Sequence, residues 1–206
     1  MRIHAIPFST NVHRVALALG LKGVAVDEWV EHPPGDRAGV RAVSGQDLVP
    51  VVETGDGRVL TDSMAIVAWI DATWPAPPLL YPADPALRAQ VETFIQFFNV
   101  VWKVPPNAIE AQREQAAPDA ASIAAWAAQL RGWQHGFEAL LTGRAYLFGD
   151  DAPTAADICA YPFLRFTTSA DPEDDDLFHG VLLENLPGDF PQLAAWIERM
   201  AKVPTA

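Results

Sequence analysis

A proline-rich segment divides this sequence into two parts with different hydrophobic patterns. Prolines stand at positions 75, 77, 78, 82 and 85. Proline has no backbone N–H and its ring clashes with the preceding helical turn, so this segment fits neither a helix interior nor a central strand. We therefore expect a stiff linker at 76–85, between one domain at 1–75 and another at 86–206.

The part before the linker alternates strand-like and helix-like segments. Strand candidates are 1–6, 24–30, 48–53 and 58–60, and helix candidates are 12–21, 37–43 and 63–71. A Thr-Gly-Asp-Gly sequence at 54–57 is typical of the turn in a hairpin. The predicted order is β-α-β-α-β-β-α, an α/β unit of thioredoxin-like size.

After the linker, apolar residues recur at helical spacing and strand signals vanish. Three such faces lie at 87–98, 123–140 and 193–200, and they predict an all-α domain. The acidic run at 171–176 is typical of a solvated loop. It lacks the glycine and glutamate spacing of a calcium-binding loop.

Charge and cysteine content exclude several classes of function. Asp and Glu number 26 against 14 Lys and Arg, and no two of the basic residues are adjacent. Such a chain repels phosphate backbones and anionic lipids, so we expect no nucleic-acid and no membrane partner. Cys159 is the single cysteine, which excludes an internal disulfide and a thiolate zinc site. The five histidines have no i, i+4 pair, so we expect no bound metal. The low cysteine content is typical of a reducing compartment, and we expect a cytoplasmic protein.

The first strand-to-helix turn carries Ser9, Thr10 and Asn11. Each of these residue types caps helices well, and capping alone explains at least one of them. A hydroxyl at a helix N-terminus also suits a bound anion, such as a thiolate. One hydrogen bond to a charged group contributes about 1.5–3 kcal/mol, which lowers a thiol pKa of about 8.5 by roughly 1–2 units.

Three further sites have both a structural and a functional interpretation. Pro50 is either an edge residue or the second residue of a cis bond that leaves the Val49 backbone free for a peptide-like ligand. Asp62 and Ser63 precede an apolar helix and suit capping. Gln46 is either a contact for the end of such a ligand or part of an ordinary loop.

Together these segments resemble the glutathione transferase family. The resemblance rests on FSTNVHRVALAL, LVPVVE, TDSMAIVAWI, PTAADICAYPFL and FPQLAAWIERMAKVP, in that order along the chain. It implies that Ser9 activates the glutathione thiol and that Val49, before a cis Pro50, pairs with the cysteinyl backbone. It also implies that Asp62 and Ser63 hold the γ-glutamyl group, although Asp62 is one methylene shorter than the commoner Glu or Gln.

The same resemblance assigns further residues. Gln46 would contact the glycine end of glutathione, and Phe8, Phe98, Trp102 and Lys103 would line an apolar acceptor pocket. A capping box is predicted where Thr154 accepts from the Asp157 backbone and the Asp157 carboxylate reaches back to the Thr154 amide.

The implied activity is attack of glutathione thiolate on a small electrophile, with glutathione as co-substrate and detoxification as the wider role. Family members are commonly homodimers, and the surfaces near Trp69 and Phe97 are candidate contacts. Two alternatives stay open: a glutathione-dependent isomerase of the maleylacetoacetate type, and a non-catalytic module that binds glutathione or another small thiol. An isomerase of that type carries a longer, Ser/Cys-rich first turn than Ser9–Asn11.

Overall fold

A computed structural model of the chain describes residues 1–168, 174 and 176–206. Its contacts define two units, one formed by Met1–Ala83 with Val203–Ala206 and the other by Asp84–Lys202. Most of the predicted acidic loop at 171–176 lies outside the described residues. Asp174, which is described, has a buried carboxylate that accepts a hydrogen bond from His179 Nδ1 at 2.7 Å.

The first unit has the predicted order of strands and helices. Its elements are β1 (Arg2–Ala5), α1 (Thr10–Lys22), β2 (Glu28–Glu31), α2 (Ala38–Ser44), β3 (Val51–Glu53), β4 (Val59–Leu60) and α3 (Ser63–Thr73). The sheet order is β2-β1-β3-β4, with β1 parallel to β2 and the other pairs antiparallel. The predicted thioredoxin-like α/β unit is confirmed.

The strand predicted at 24–30 begins later than expected because its first residues close the preceding helix. Gly23 takes a left-handed conformation as the C-cap of α1, and the Val24 amide donates to the Leu19 carbonyl at 3.0 Å. Gly20 lies inside α1. A Cβ there would stand 2.0 Å from the Pro204 carbonyl oxygen, so glycine lets the C-terminal segment approach the helix.

The proline-rich segment is anchored to the first unit, whose main stretch ends at Ala83. The Asp71 carboxylate accepts hydrogen bonds from the amides of Leu80 and Tyr81 at 2.9 and 3.1 Å. Lys22 Nζ lies 2.7 Å from the same carboxylate and also donates to the carbonyl of Pro78. The charged groups thus tie the backbone of this segment to α1 and α3.

The second unit is all-helical in its described residues, as predicted. Its helices are α4 (Pro85–Phe97), α5 (Val104–Arg113), α6 (Ala120–Leu140), α7 (Ala155–Leu164), α8 (Leu177–Asn185) and α9 (Pro191–Met200). A π-helical turn at Phe98–Trp102 follows α4, and a 3₁₀ turn at Arg165–Thr167 follows α7. No helix in the described part of the chain is both long and apolar enough to cross a bilayer.

Phe98 and Trp102 are core residues, which corrects their assignment to an apolar acceptor pocket. Both are fully buried, and their rings stack with centroids 4.3 Å apart. Phe163 meets both rings edge-on, at 5.5 and 6.0 Å. Helical periodicity alone does not distinguish a ring facing a pocket from one facing the core.

The predicted capping box at the start of α7 is present, and its aspartate also contacts residues outside that helix. The Asp157 carboxylate is fully buried and accepts from the Thr154 amide at 2.8 Å and the Thr154 hydroxyl at 3.0 Å. It also accepts from the Leu147 amide and from Trp196 Nε1, each at 2.9 Å. Burial raises the pKa of Asp157, and these donors oppose that rise. One side chain therefore connects α7, the preceding loop and α9.

A polar cluster lies on one face of the sheet in the first unit. His4 Nε2 donates to Glu53 Oε1 at 2.9 Å, while His4 Nδ1 lies 2.9 Å from His32 Nε2. The hydrogen bond from His4, with a further contribution from Arg2, holds the pKa of Glu53 below its usual value. This histidine pair joins residues 28 positions apart, so sequence spacing gave no sign of it.

This cluster predicts a contribution of Glu53 to acid sensitivity. A carboxylate whose pKa is lowered by folding stabilises the protein above its unfolded pKa, and that contribution is lost as pH falls through the folded value. We expect Glu53→Gln to have a shallower fall in unfolding free energy than the wild type between about pH 5 and pH 3. Urea titrations at each pH measure this. Glu31→Gln, at the exposed end of β2, is the control, and equal slopes for Glu53→Gln and wild type contradict the prediction.

Candidate functional site

The structure places Ser9 as the N-cap of α1. Its Oγ accepts a hydrogen bond from the Val12 amide at 3.3 Å, and the residue is half-buried. A serine hydroxyl has two lone pairs and one proton, so accepting from an amide leaves the proton free to be donated. Among the described residues no acceptor takes that proton. Capping and thiolate stabilisation are therefore compatible roles for the same oxygen.

Two non-glycine residues in the described part of the chain have positive φ, and each precedes a predicted site hydroxyl. Phe8, with φ of 63°, comes before Ser9, and Asp62, with φ of 66°, comes before Ser63. Such backbone conformations cost on the order of 1 kcal/mol or more and are concentrated at functional sites. The strain lies at both turns on which the predicted glutathione contacts stand.

Asp62 and Ser63 begin α3 in an arrangement that leaves polar atoms available. Asp62 caps the helix through Oδ1 alone, which accepts from the amides of Met64 and Ala65 at 2.9 Å each. Asp62 is exposed, so its second carboxylate oxygen faces solvent-accessible space. Ser63 is buried and its Oγ accepts from Arg14 Nη1 at 3.2 Å.

The buried side chain of Arg14 lies behind the site. Its Nη1 also donates to Asn11 Oδ1 at 3.1 Å. The guanidinium thus lies between the first turns of α1 and α3. The i, i+3 spacing of Asn11 and Arg14 fits one helix face, whereas the contact with Ser63, 49 residues away, required the fold.

The cis peptide bond expected at Val49–Pro50 is present, and Pro50 leads directly into β3. Val49 itself is half-buried and lies outside the strand. Gln46 behaves as part of its own loop, because its Nε2 donates to the Leu48 carbonyl at 2.7 Å and to Ser44 Oγ at 3.2 Å. Of the two interpretations of Gln46 that the sequence left open, the structure favours the loop.

The remaining acceptor-pocket candidates differ in their surroundings. Phe8 is 40% exposed, so its ring is accessible to a ligand. Lys103 follows the π-helical turn, and its Nζ lies 4.6 Å from the centroid of the Phe163 ring. Within the described residues, no group of three or more His, Cys, Asp or Glu side chains has the geometry to hold a metal ion.

Family models match both parts of the chain. The model described as "Glutathione S-transferase, N-terminal domain" covers residues 3–78, and "Glutathione S-transferase, C-terminal domain" covers residues 106–199. This chain belongs to the glutathione S-transferase family. It is therefore a member of a family of glutathione-dependent transferases and isomerases.

Similar curated members of the glutathione S-transferase family carry two kinds of name. "Maleylpyruvate isomerase" of Ralstonia sp is 33% identical over 173 residues, which cover 79% of this chain and 80% of that protein. "Probable glutathione S-transferase GSTU6" of Oryza sativa subsp. japonica is 29% identical over 196 residues, covering 90% and 78%.

Solved glutathione S-transferase structures share the fold. A tau class enzyme from mango, Mangifera indica, has a TM-score of 0.79 at 20% identity and covers 98% of this chain and 88% of its own. A theta class enzyme from Xanthomonas axonopodis pv. citri, solved with glutathione bound, has a TM-score of 0.71 at 24% identity, with 96% and 90% covered.

Proposed function

We propose that this chain is a serine-type glutathione-dependent enzyme in which Ser9 stabilises the thiolate of bound glutathione. The observation that carries the proposal is the half-buried Ser9 hydroxyl, which accepts from the Val12 amide and keeps its proton for a ligand. The hydroxyl stands at the N-terminus of α1, a helix of 13 residues. The helix dipole there adds favourable potential for an anion.

The first unit supplies the contacts proposed for glutathione. The γ-glutamyl ammonium would meet the free carboxylate oxygen of Asp62, and the γ-glutamyl carboxylate would accept from the Ser63 hydroxyl. The Val49 backbone, next to Pro50, would pair with the cysteinyl part. Support comes from the exposed second oxygen of Asp62 and from the position of Ser9 and Ser63 at two helix starts.

The reaction we propose is addition of the thiolate to, or displacement at, an electrophilic carbon of a small molecule, as in a detoxifying transferase. Holding both reactants in contact lowers the barrier because the reaction becomes effectively unimolecular. Within the first unit, Phe8 is the proposed acceptor contact, because its ring is accessible. The second unit is the proposed acceptor-binding domain.

A glutathione-dependent isomerase is the second candidate. It is favoured by the similarity to a maleylpyruvate isomerase along four fifths of both chains. Its first chemical step is the same as that of an addition reaction of the transferase: the thiolate adds to an activated double bond. A transferase releases the adduct, whereas an isomerase expels the thiol after rotation about the former double bond and so regenerates glutathione.

Counting free thiol against product separates the two candidates. The enzyme is incubated with glutathione and either a nitro-activated aromatic halide or a cis-unsaturated keto acid of the maleylpyruvate type. With the aromatic halide, we expect one glutathione thiol to be consumed for each product molecule that is formed. Turnover of the keto acid at constant thiol would assign the isomerase instead. Retention on immobilised glutathione with turnover of neither would assign a binding module and contradict the catalytic proposal.

We also propose a cytoplasmic homodimer. The support is the common dimeric state of the family and an open apolar groove of about 430 Å³ beside Phe97. The Phe97 ring meets Trp133 edge-on at 5.6 Å. Light scattering that gives twice the 22.4 kDa chain mass is the expected result, and a monomeric mass contradicts it.

A further inference from the structure

Arg14 is a charged residue in the interior of the first unit. It is only 1% exposed, and arginine is rarely buried this deeply unless polar groups meet its guanidinium. The Nη1 atom donates to Asn11 Oδ1 at 3.1 Å and to Ser63 Oγ at 3.2 Å. Because Asn11 belongs to the first turn of α1 and Ser63 to the first turn of α3, one nitrogen links the two helix starts.

These helix starts carry the two ends of the proposed glutathione site. Ser9, at the start of α1, would meet the sulfur, while Ser63, at the start of α3, would meet the γ-glutamyl carboxylate. The separation of the two contacts must match the length of the bound peptide. A planar guanidinium that bonds to both turns is suited to fix that separation, because its donors have a rigid geometry.

The same hydrogen bond sets the direction of the Ser63 proton. A hydroxyl that accepts from Arg14 through a lone pair has one proton left to donate. Within the protein, the Ser63 hydroxyl has Asn11 Oδ1 as an acceptor at 3.5 Å, which is long for an O–H···O bond. A carboxylate is the stronger acceptor and would take this proton.

We propose that Arg14 is a positioning residue for glutathione. It holds the Ser63 hydroxyl with its proton toward the γ-glutamyl carboxylate and sets the spacing between Ser63 and Ser9. Arg14 itself does not touch the ligand. This inference rests on the proposed function.

The test uses S-methylglutathione, which has the γ-glutamyl group but no thiol to ionise. By calorimetry, we expect Arg14→Met to bind this probe about 10- to 100-fold more weakly than the wild type, the loss expected for one hydrogen bond to a charged group. Ser63→Ala should lose a similar factor. The double variant should bind at most about twofold more weakly than the weaker single variant, because both changes remove the same interaction.

Three further variants separate positioning from general stability. Arg14→Lys, which keeps the charge and several donors, should recover part of the affinity. Arg58→Met removes an exposed arginine of the same unit and should bind like the wild type. In turnover, Arg14→Met should raise KM for glutathione while kcat at saturation stays within about threefold. Arg14→Gln, expected to bind weakly as well, replaces Arg14→Met if that variant does not fold.

Each contrary outcome identifies a different failure. Wild-type affinity in Arg14→Met or in the folded Arg14→Gln overturns the role of Arg14 and leaves the proposed function intact. If the affinity losses of Arg14→Met and Ser63→Ala multiply in the double variant, Arg14 does not act through Ser63 and this part of the proposal is wrong. A wild-type protein that binds neither glutathione nor S-methylglutathione overturns the proposed function and this inference together.

Discussion

Replacing Ser9 with alanine is expected to lower kcat/KM for glutathione conjugation about 10- to 100-fold near pH 7. In the proposed mechanism the hydroxyl donates to the thiolate, so losing that charged hydrogen bond, about 1.5–3 kcal/mol, should raise the thiol pKa by roughly 1–2 units. The deficit should shrink as pH rises, since the thiol then ionises without help. A pH–rate profile of the wild type and the variant measures both effects.

Two matched variants isolate the hydroxyl from its capping role. Ser9→Gly removes the same hydroxyl but costs only a few tenths of a kcal/mol as an N-cap, so it should match Ser9→Ala in activity while remaining more stable. Thr10→Val removes the neighbouring hydroxyl and should retain wild-type activity. If Thr10→Val loses activity and Ser9→Gly does not, the thiol contact belongs to Thr10 and the assignment of Ser9 is wrong.

Replacing Asp157 with alanine is expected to lower the free energy of unfolding by about 4 kcal/mol. Four donors, from Thr154, Leu147 and Trp196, lose their acceptor in a fully buried position. Leaving a buried donor unpaired costs about 1–3 kcal/mol, and partial relaxation keeps the total below the sum. Urea denaturation followed by circular dichroism measures this loss.

Asp119→Ala is the matched control for this change. Asp119 is also an acidic N-cap, at the start of α6, but its carboxylate is exposed and bonds only to the Ala121 and Ser122 residues of its own helix. Removing such a cap should cost about 1 kcal/mol. Equal losses for Asp119→Ala and Asp157→Ala would show that Asp157 acts as a cap alone and that its contacts across the unit contribute nothing.

Local sequence signals predicted the elements of this fold well. The positions of glycine and proline and the hydrophobic periodicity are local features of the sequence. They predicted the order β-α-β-α-β-β-α and the helical second part, and local capping chemistry predicted the capping box at Thr154. The positions of Ser9 and Asp62 at helix starts also follow from local capping chemistry. Each of these features depends on residues within a few positions of one another.

Features that depend on distant residues were missed or misassigned. The helical periodicity at 87–98 did not reveal that Phe163, about 60 positions later, packs on the rings of Phe98 and Trp102. Likewise, the lysine and aspartate that anchor the proline-rich segment lie 49 residues apart in α1 and α3. Burial and long-range hydrogen bonds are set by the assembled fold, so a single sequence shows the candidate residues but not their partners.

The most direct measurement is the ultraviolet absorbance of the glutathione thiolate in the enzyme complex as pH is raised. We predict that glutathione bound to the wild type titrates roughly 1–2 units below a free thiol, whose pKa is about 8.5, and that glutathione bound to Ser9→Ala titrates close to that free value. Identical titrations of the two complexes would contradict the assignment of Ser9 as the group that stabilises the thiolate.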